Sequence, residues 1–368
     1  MVESEEVLEQ KLQELRDEYS KTKYNKATNK PLGILRHKIA EIRKLMATSR
    51  SVKGTGFFVK KSGDATVALL GFPSVGKSSI INVLTNTKSK TALYAFTTTT
   101  IIPGTMLHND AHIQIFDMPG VIEGAHLGLG GGKAVIGAMK VSDLVVFVID
   151  VNNTVQLGIL LSELKALGIH INERRPNVRI IEQTNRGVEI EMNHSGIDDR
   201  YLLEILSSLG VFSAKVKIED PVNADDLISI VAGSAYYMKA IVALNKIDTN
   251  KDYERIAKKL SDAHNGIEVV PISATQSSNI KALRESIYRN LDIMTVYLKR
   301  KDEQEQAMPV ILRRNSKVVD AARKLHTEIA DELKTAYVTG PSSRFGRQRV
   351  GAQHVLKDGD TITFIKEK

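Results

Sequence analysis

The chain has 368 residues, 42% of them hydrophobic and 26% charged, a balance that suits two to four folded units and argues against wholesale disorder. No apolar run approaches the roughly 18 residues a membrane span needs, the opening MVESEEVLEQ lacks the apolar core of a leader, and cysteine is absent. Disulfides and thiolate metal sites are excluded, and a cytoplasmic protein with no membrane association is expected. The net charge of +8 points to a polyanionic partner, with the excess concentrated in residues 21–61, where many lysines and arginines face the single acid Glu41.

In chain order, EEVLEQKLQELRDEY places Val7, Leu8, Leu12 and Leu15 at helical spacing, and a second helix is expected over 32–48, after Pro31. Together they predict a basic N-terminal helical hairpin, 1–62. From Ala65, TVALLGF, SSIINVLTN, AHIQIFDM, AVIGAMK, DLVVFVIDV and TVQLGILLSELKAL alternate short apolar runs with helical ones. That alternation predicts an α/β, doubly wound, mostly parallel sheet with helices on both faces.

The next strand, KAIVALNKID, arrives about seventy residues late, far beyond an ordinary connection. VRIIEQ, GVEIEMN, a helix near 198–209, SAKVKI and a helix near 223–232 fill the gap. They predict a small α/β domain, 171–234, inserted into a parent domain made of 63–170 and 235–291. The parent resumes with DYERIAKKLSD, IEVVPISA and IKALRESIYRNLD. In 292–368, TVYLKR, PVILRR, the helix KVVDAARKLHTEIADEL, TAYVT, HVL and DTITFIKEK predict a β-grasp-like module. RFGRQR at 344–349 reads as a solvated loop able to touch nucleic acid, and His108 and His112 read as solvent-facing strand histidines.

GFPSVGKS at 71–78 lies between the strand TVALL and the helix SSIINVLTN, the setting that makes a glycine loop a phosphate cradle. Its backbone N–H groups turn inward and the helix N-terminus adds its dipole. Lys77 is placed to reach the β- and γ-phosphates, and the Ser78 hydroxyl to ligate Mg²⁺. NKID at 245–248 sits at a strand end, where open α/β sheets bind ligands. The Asp248 carboxylate can accept from N1–H and the exocyclic amine of guanine, a pair that adenine lacks, so it selects GTP. Asn245 braces the loop, the Lys246 stem covers the ring, and Ser273 and Ala274 are positioned to offer backbone N–H groups to the base carbonyl.

DMPG at 117–120 puts Asp117 where it holds Mg²⁺ through water and Gly120 where its N–H senses the γ-phosphate. AFTTTT at 95–100 offers four threonines for completing Mg²⁺ coordination. After Gly120, where many GTP-hydrolysing proteins carry a water-orienting glutamine, this chain has Val121, whose isopropyl group cannot hold water. Glycines 124, 128 and 130–132 make the loop costly to order, so ordering on binding a ligand is the expected trigger.

GFPSVGKSS, YAFTTTTIIPG, DMPGVIEGAHLGLGGG, NKID and the late SA resemble the Obg-like P-loop GTPases, specifically the developmentally regulated GTP-binding proteins (Drg), over nearly the whole chain. NKATNKPLGILRHKIAEIRK is similar to that family's N-terminal helical region, 171–234 to its ribosomal-protein-like insertion, and QRVGAQHVLKDGDTITFIK to the end of its TGS domain. The resemblance implies phosphate contacts at Ser74, Val75, Gly76, Lys77, Ser78 and Ser79, and Mg²⁺ at Ser78 and Thr98 with Asp117 nearby. It implies base recognition at Asn245, Lys246, Asp248, Ser273 and Ala274, and catalysis through Lys77, Thr98 and Gly120. Thr98 aligns with the second threonine of the family's F-T-T-L; Thr99 replaces the leucine, and Thr97 and Thr99 stay open.

Ribosomal RNA or tRNA as partner, a regulatory protein partner and a role in translation are also implied. Some relatives use K⁺ with a phosphate-loop asparagine; Ser74 stands there, which weakens that inference. The leading expectation is a GTPase with slow intrinsic turnover. The alternative is a ribosome- or RNA-binding scaffold whose nucleotide site is structural, and ATP use is a third reading that NKID opposes.

Overall fold

The structure, a computed structural model, describes residues 63–85, 103–118, 132–183, 187–299, 307–331 and 333–364, together with scattered positions in the first 42 residues. Those early positions are helical, and Leu35 and Ile39, one turn apart, are buried. Most of the expected basic hairpin lies outside the described residues.

The central sheet has the order β11-β10-β4-β1-β3-β2. β1 (Ala65–Leu70), β3 (Ala111–Asp117), β4 (Leu144–Asp150), β10 (Ala240–Asn245) and β11 (Val269–Pro271) are parallel, and the edge strand β2 (Pro103–His108) is antiparallel to β3. The middle strands read ATVALL, LVVFVID and AIVALN because they are covered on both faces, which only continuous apolar runs tolerate.

Alternate strand residues feed two cores. On one face, Val67, Leu69, Ile115, Val146 and Ile241 pack against helix α1 (Lys77–Thr85) and a helix, Ile280–Asn290, that ends the domain. On the other, Leu70, Phe147, Ile149 and Leu244 pack against α2 (Gly132–Val141), α3 (Val155–Ala166) and a helix at Tyr253–Ala263.

A strand does follow α3 at once, but it leaves the sheet. β5 (Ile169–Ile171) pairs in parallel with β9 (Tyr236–Met238), so the expected boundary between 170 and 171 cuts through a strand. Three residues, IHI, are too short for periodicity to reveal, and the partner lies more than sixty positions away. Asn172, in the left-handed region at φ 55°, ties this stem to the sheet: its amide donates to Ala240 O at 2.8 Å and accepts from Ala240 N at 2.7 Å. Beyond the stem, β6 (Val178–Glu182), β7 (Gly187–Asn193) and β8 (Ser213–Ile218) form a sheet in the order β6-β8-β7. Helices α4 (Asp199–Ser208) and α5 (Ala224–Val231) cover one of its faces through Leu202, Leu206, Val216 and Leu227.

In chain order the parent helices Tyr253–Ala263 and Ile280–Asn290 are α6 and α7. The C-terminal unit contains β12 (Ile293–Leu298), β13 (Met308–Arg313), β14 (Thr335–Thr339), β15 (Gln348–Gly351) and β16 (Thr361–Phe364), ordered β13-β12-β16-β14-β15. Its long expected helix is two: α8 (Val318–Leu325) and α9 (Thr327–Asp331) are separated by His326, whose backbone is extended at φ −163° and ψ 140°. HVL contributes an isolated bridge from Val355 to Lys317, and the supposed loop 344–349 runs into strand β15. His108 is not solvent-facing; its ring lies edge-on to Tyr288 and 3.4 Å from Glu285. His112 is exposed as expected.

The C-terminal unit is fastened to the starting ends of the parent strands. Arg313 Nη2 donates to Asp143 Oδ1 at 2.6 Å, and Thr295 Oγ1 donates to Asn109 O at 2.9 Å. Six residues of β1 separate that end from the glycine loop, about 20 Å at strand rise.

Phe147 has no exposed surface and sits among β1, β4 and the α2–α3 layer. Phe147→Ala is expected to cost about 3–5 kcal/mol, read as a lower midpoint in denaturant unfolding.

Candidate functional site

The loops that follow β1, β4, β10 and β11, together with Asp117 at the end of β3, line one edge of the sheet, the place where parallel sheets bind ligands. Residues 71–76 join β1 to α1. Ser74 takes φ 61° and Gly76 φ 97°, conformations that coil the backbone inward. Val75 is 2% exposed and packs into the core with Ile80 and Ile81, anchoring the loop from beneath. Ser74, Ser78 and Ser79 are exposed. The backbone N–H groups of Lys77, Ser78 and Ser79 precede the first hydrogen bond of α1, from Ile80 N to Gly76 O, and so have no intrahelical acceptor.

Lys77 is 7% exposed. Its ammonium donates to Gly71 O at 2.9 Å and Phe72 O at 3.0 Å, and lies 4.0 Å from Asp117 Oδ1. Burial pulls its pKa below the usual lysine range, against the opposing pull of Asp117. Asp117 is displaced upward, again chiefly by burial, with Lys77 and the Ser78 hydroxyl opposing. Ser78 Oγ donates to Asp117 Oδ2 at 3.3 Å, whereas the buried Oδ1 has no hydrogen-bond donor among the described residues. A buried carboxylate oxygen left in this state beside a serine hydroxyl fits a hydrated divalent cation. Ser78 and Asp117 are the described residues suited to hold Mg²⁺; Thr98 and Gly120, with Thr97, Thr99 and Val121, lie outside the described residues.

Asn245 is 3% exposed and bridges three loops. Its Nδ2 donates to Val75 O at 2.8 Å in the glycine loop, and its Oδ1 accepts from Ala274 N at 3.0 Å after β11. A Cβ on Gly76 would lie 2.3 Å from that same Nδ2, so glycine there is required twice, by space and by φ. Lys246 follows with φ 66°, and Asp248 is exposed on the short turn Ile247–Thr249.

One expectation needs correction. The N–H groups of Ser273 and Ala274 are not open to a base: Ser273 N donates to Ser278 O at 3.2 Å and Ala274 N to Asn245. Their loop positions Asn245 instead. The Lys246 stem, expected to cover the ring, is anchored at its far end, where Nζ pairs with Asp150 Oδ2 at 2.8 Å. Asp150 was missed. The available signal was an aspartate ending an apolar strand, as Asp117 does on β3.

A family model described as a 50S ribosome-binding GTPase matches residues 66–183, the C-terminal region of that domain 185–293, and the TGS domain 294–366. Human developmentally-regulated GTP-binding protein 2 is 34% identical over 97% of this chain and 99% of its own length. The chain belongs to the developmentally regulated GTP-binding protein family. GTP-binding protein 1 of Schizosaccharomyces pombe is 36% identical over 97% of this chain and 98% of its own. Among solved structures, the YchF GTPase of the same yeast aligns with a TM-score of 0.51 at 14% identity, covering 85% of this chain and 100% of that one, which supports the shared fold. The parent unit is thus a P-loop GTPase domain and the C-terminal unit a TGS domain.

Two outcomes test the site. Gly76→Ala should displace the Asn245 amide and reduce guanine-nucleotide affinity by at least about 100-fold, roughly the loss of two buried hydrogen bonds, measured by calorimetric titration. For Asp117, the folded pKa lies above the unfolded one, so its ionisation costs stability at neutral pH, a cost relieved as pH falls through the raised folded value and gone below the ordinary carboxylate value. In EDTA and without nucleotide, Asp117→Asn should therefore melt higher than wild type at pH 7, with the gain fading toward pH 3 (roughly the unfolded carboxylate range), while Mg²⁺-dependent nucleotide binding weakens.

Proposed function

We propose that this member of the family is a slow GTP-hydrolysing switch, converting GTP and water to GDP and phosphate, which acts with ribosomal RNA or tRNA in translation in the cytoplasm. The observation that carries the reading is the buried Asn245 amide joining the phosphate loop to the guanine-selective NKID loop, with Lys77 and the unsatisfied Asp117 oxygen beside it.

The chain's own contribution is positioning. Lys77 is held by Gly71 O and Phe72 O near the carboxylate, and a phosphate group offers its ammonium stronger acceptors than two carbonyls. Backbone N–H groups at 74–79 cradle the β- and γ-phosphates, Asp248 reads the guanine edge, and Gly120 and Thr98 respond to the γ-phosphate. Mg²⁺, bound at Ser78 and Thr98 with Asp117 through water, would neutralise charge developing on the phosphate oxygens. Val121 leaves water unassisted at its position, which accounts for slow turnover and calls for a K⁺ ion near Ser74, another switch residue or a regulatory protein.

RNA contact is supported by Arg344, Arg347 and exposed Phe345 in the TGS domain, where the Arg347 guanidinium lies 4.2 Å from the Tyr337 ring. The inserted domain is less suited, because Lys215 and Lys217 already pair with Glu191 and Glu219 at 3.3 and 2.9 Å.

The second reading, a scaffold with a structural nucleotide, rests on Val121. Single-turnover hydrolysis of radiolabelled GTP decides: loss of hydrolysis in Lys77→Ala supports the enzyme, and intact GTP after hours with ribosomes supports the scaffold. Ribosome co-sedimentation should weaken at least about tenfold between 50 and 200 mM salt (roughly the release of a few phosphate counterions).

A further inference from the structure

Asp150 ends β4 directly beside Asn245, its register partner on β10. Its Oδ1 accepts from Asn152 N at 2.9 Å, and its Oδ2 holds the Lys246 ammonium at 2.8 Å. Each oxygen thus has a separate task. The segment behind it is stitched to the base-reading loop at several further points. Val151 N donates to Asn245 O at 3.0 Å, Asn152 Nδ2 to Thr249 Oγ1 at 2.9 Å, and Asn250 Nδ2 to Asn152 Oδ1 at 3.2 Å. Thr249 Oγ1 in turn donates to Lys246 O at 2.8 Å.

Lys246 is therefore fixed at both ends. Its backbone is in the left-handed region, φ 66°, an uncommon conformation for a side-chain-bearing residue. Its head is held by a carboxylate. A lysine loses much rotamer freedom when a contact immobilises it, and a stem already extended pays that entropy before the ligand arrives. An ordinary surface pair would contribute almost nothing, but here the Asp150 side chain is 19% exposed and belongs to a hydrogen-bonded bracket.

Burial pushes the Asp150 carboxyl upward. The Lys246 ammonium and the Asn152 N–H outweigh it and hold the group below its usual range, so it is ionised at neutral pH.

We propose that Asp150 is a positioning residue for guanine-nucleotide binding: it holds the Lys246 stem in place for the purine ring and thereby sets how long a nucleotide stays bound. This rests on the GTP-binding reading of the site. The role is separate from catalysis, since both Asp150 oxygens are engaged by Asn152 N and Lys246 Nζ on the base-reading side of the site. It predicts an effect on nucleotide release that passes entirely through Lys246.

The test is release of a fluorescent GDP analogue from the full chain in Mg²⁺, for wild type, Asp150→Ala, Lys246→Met and the double variant. Asp150→Ala should speed release about tenfold, the scale of one charge-assisted hydrogen bond. The double variant, built with Asp150→Asn so that Asn152 N keeps its acceptor, should be no faster than Lys246→Met, because both changes remove the same ion pair. Asp150→Asn, which keeps the acceptor for Asn152 N but loses the charge, should fall between wild type and alanine. It also serves if the alanine variant folds poorly. Release from Asp150→Ala or Asp150→Asn within about twofold of wild type, or effects that multiply in the double variant, would overturn the inference while leaving GTP binding intact. Failure of wild type to bind any guanine nucleotide would instead overturn the reading beneath it.

Discussion

The amide of Asn245 is the interaction on which the site depends. One buried side chain donates its N–H to the phosphate loop and accepts with its oxygen from the loop after β11. A buried amide that loses either partner costs its desolvation energy, about 1–3 kcal/mol, so the two loops are held in register by the penalty for separating them. Gly76 exists to make room for that amide, and the Ser273–Ala274 segment donates to it. The glycine loop, the NKID loop and the loop after β11 are consequently tied together through one side chain.

Around that unit the sheet divides labour between its two ends. The finishing ends of the parallel strands carry Asp117, Asp150 and Asn245, while the starting ends carry Asn109 and Asp143, to which the TGS domain is attached. Asp143 also accepts from Thr66 N at 2.9 Å and follows directly on α2 and Ser142. α2 therefore runs by a short covalent route into the residue that clamps the C-terminal unit. The length of β1, about 20 Å at strand rise, lies between that clamp and the glycine loop.

Much of this was readable in the residues. The parallel sheet followed from continuous apolar runs alternating with helical ones, the insertion from the lateness of KAIVALNKID, and the phosphate loop from glycines between a strand and a helix. These signals are local, and their spacing is set by backbone geometry. Readings failed where the decisive partner was remote or the element too short: β5 and β9 are three residues each and exist only as a pair. His326 interrupts a run whose apolar spacing alone suggested one helix, and β15 becomes a strand because β14 is there to pair with it.

The sequence by itself determined which chemical groups are available: a glycine loop with Lys77 and Ser78, a carboxylate at Asp248 in NKID, and valine where a water-holding side chain is common. Those identities are covalent and do not wait for folding. Only the tertiary structure decided how the groups are used. It assigned the Ala274 N–H to Asn245, brought Asp150 to Lys246 across two neighbouring strands, and left one Asp117 oxygen buried beside Ser78 without a donor among the described residues. Hydrogen-bond satisfaction in a buried site depends on which loops arrive at the same sheet edge, and strand order fixes that.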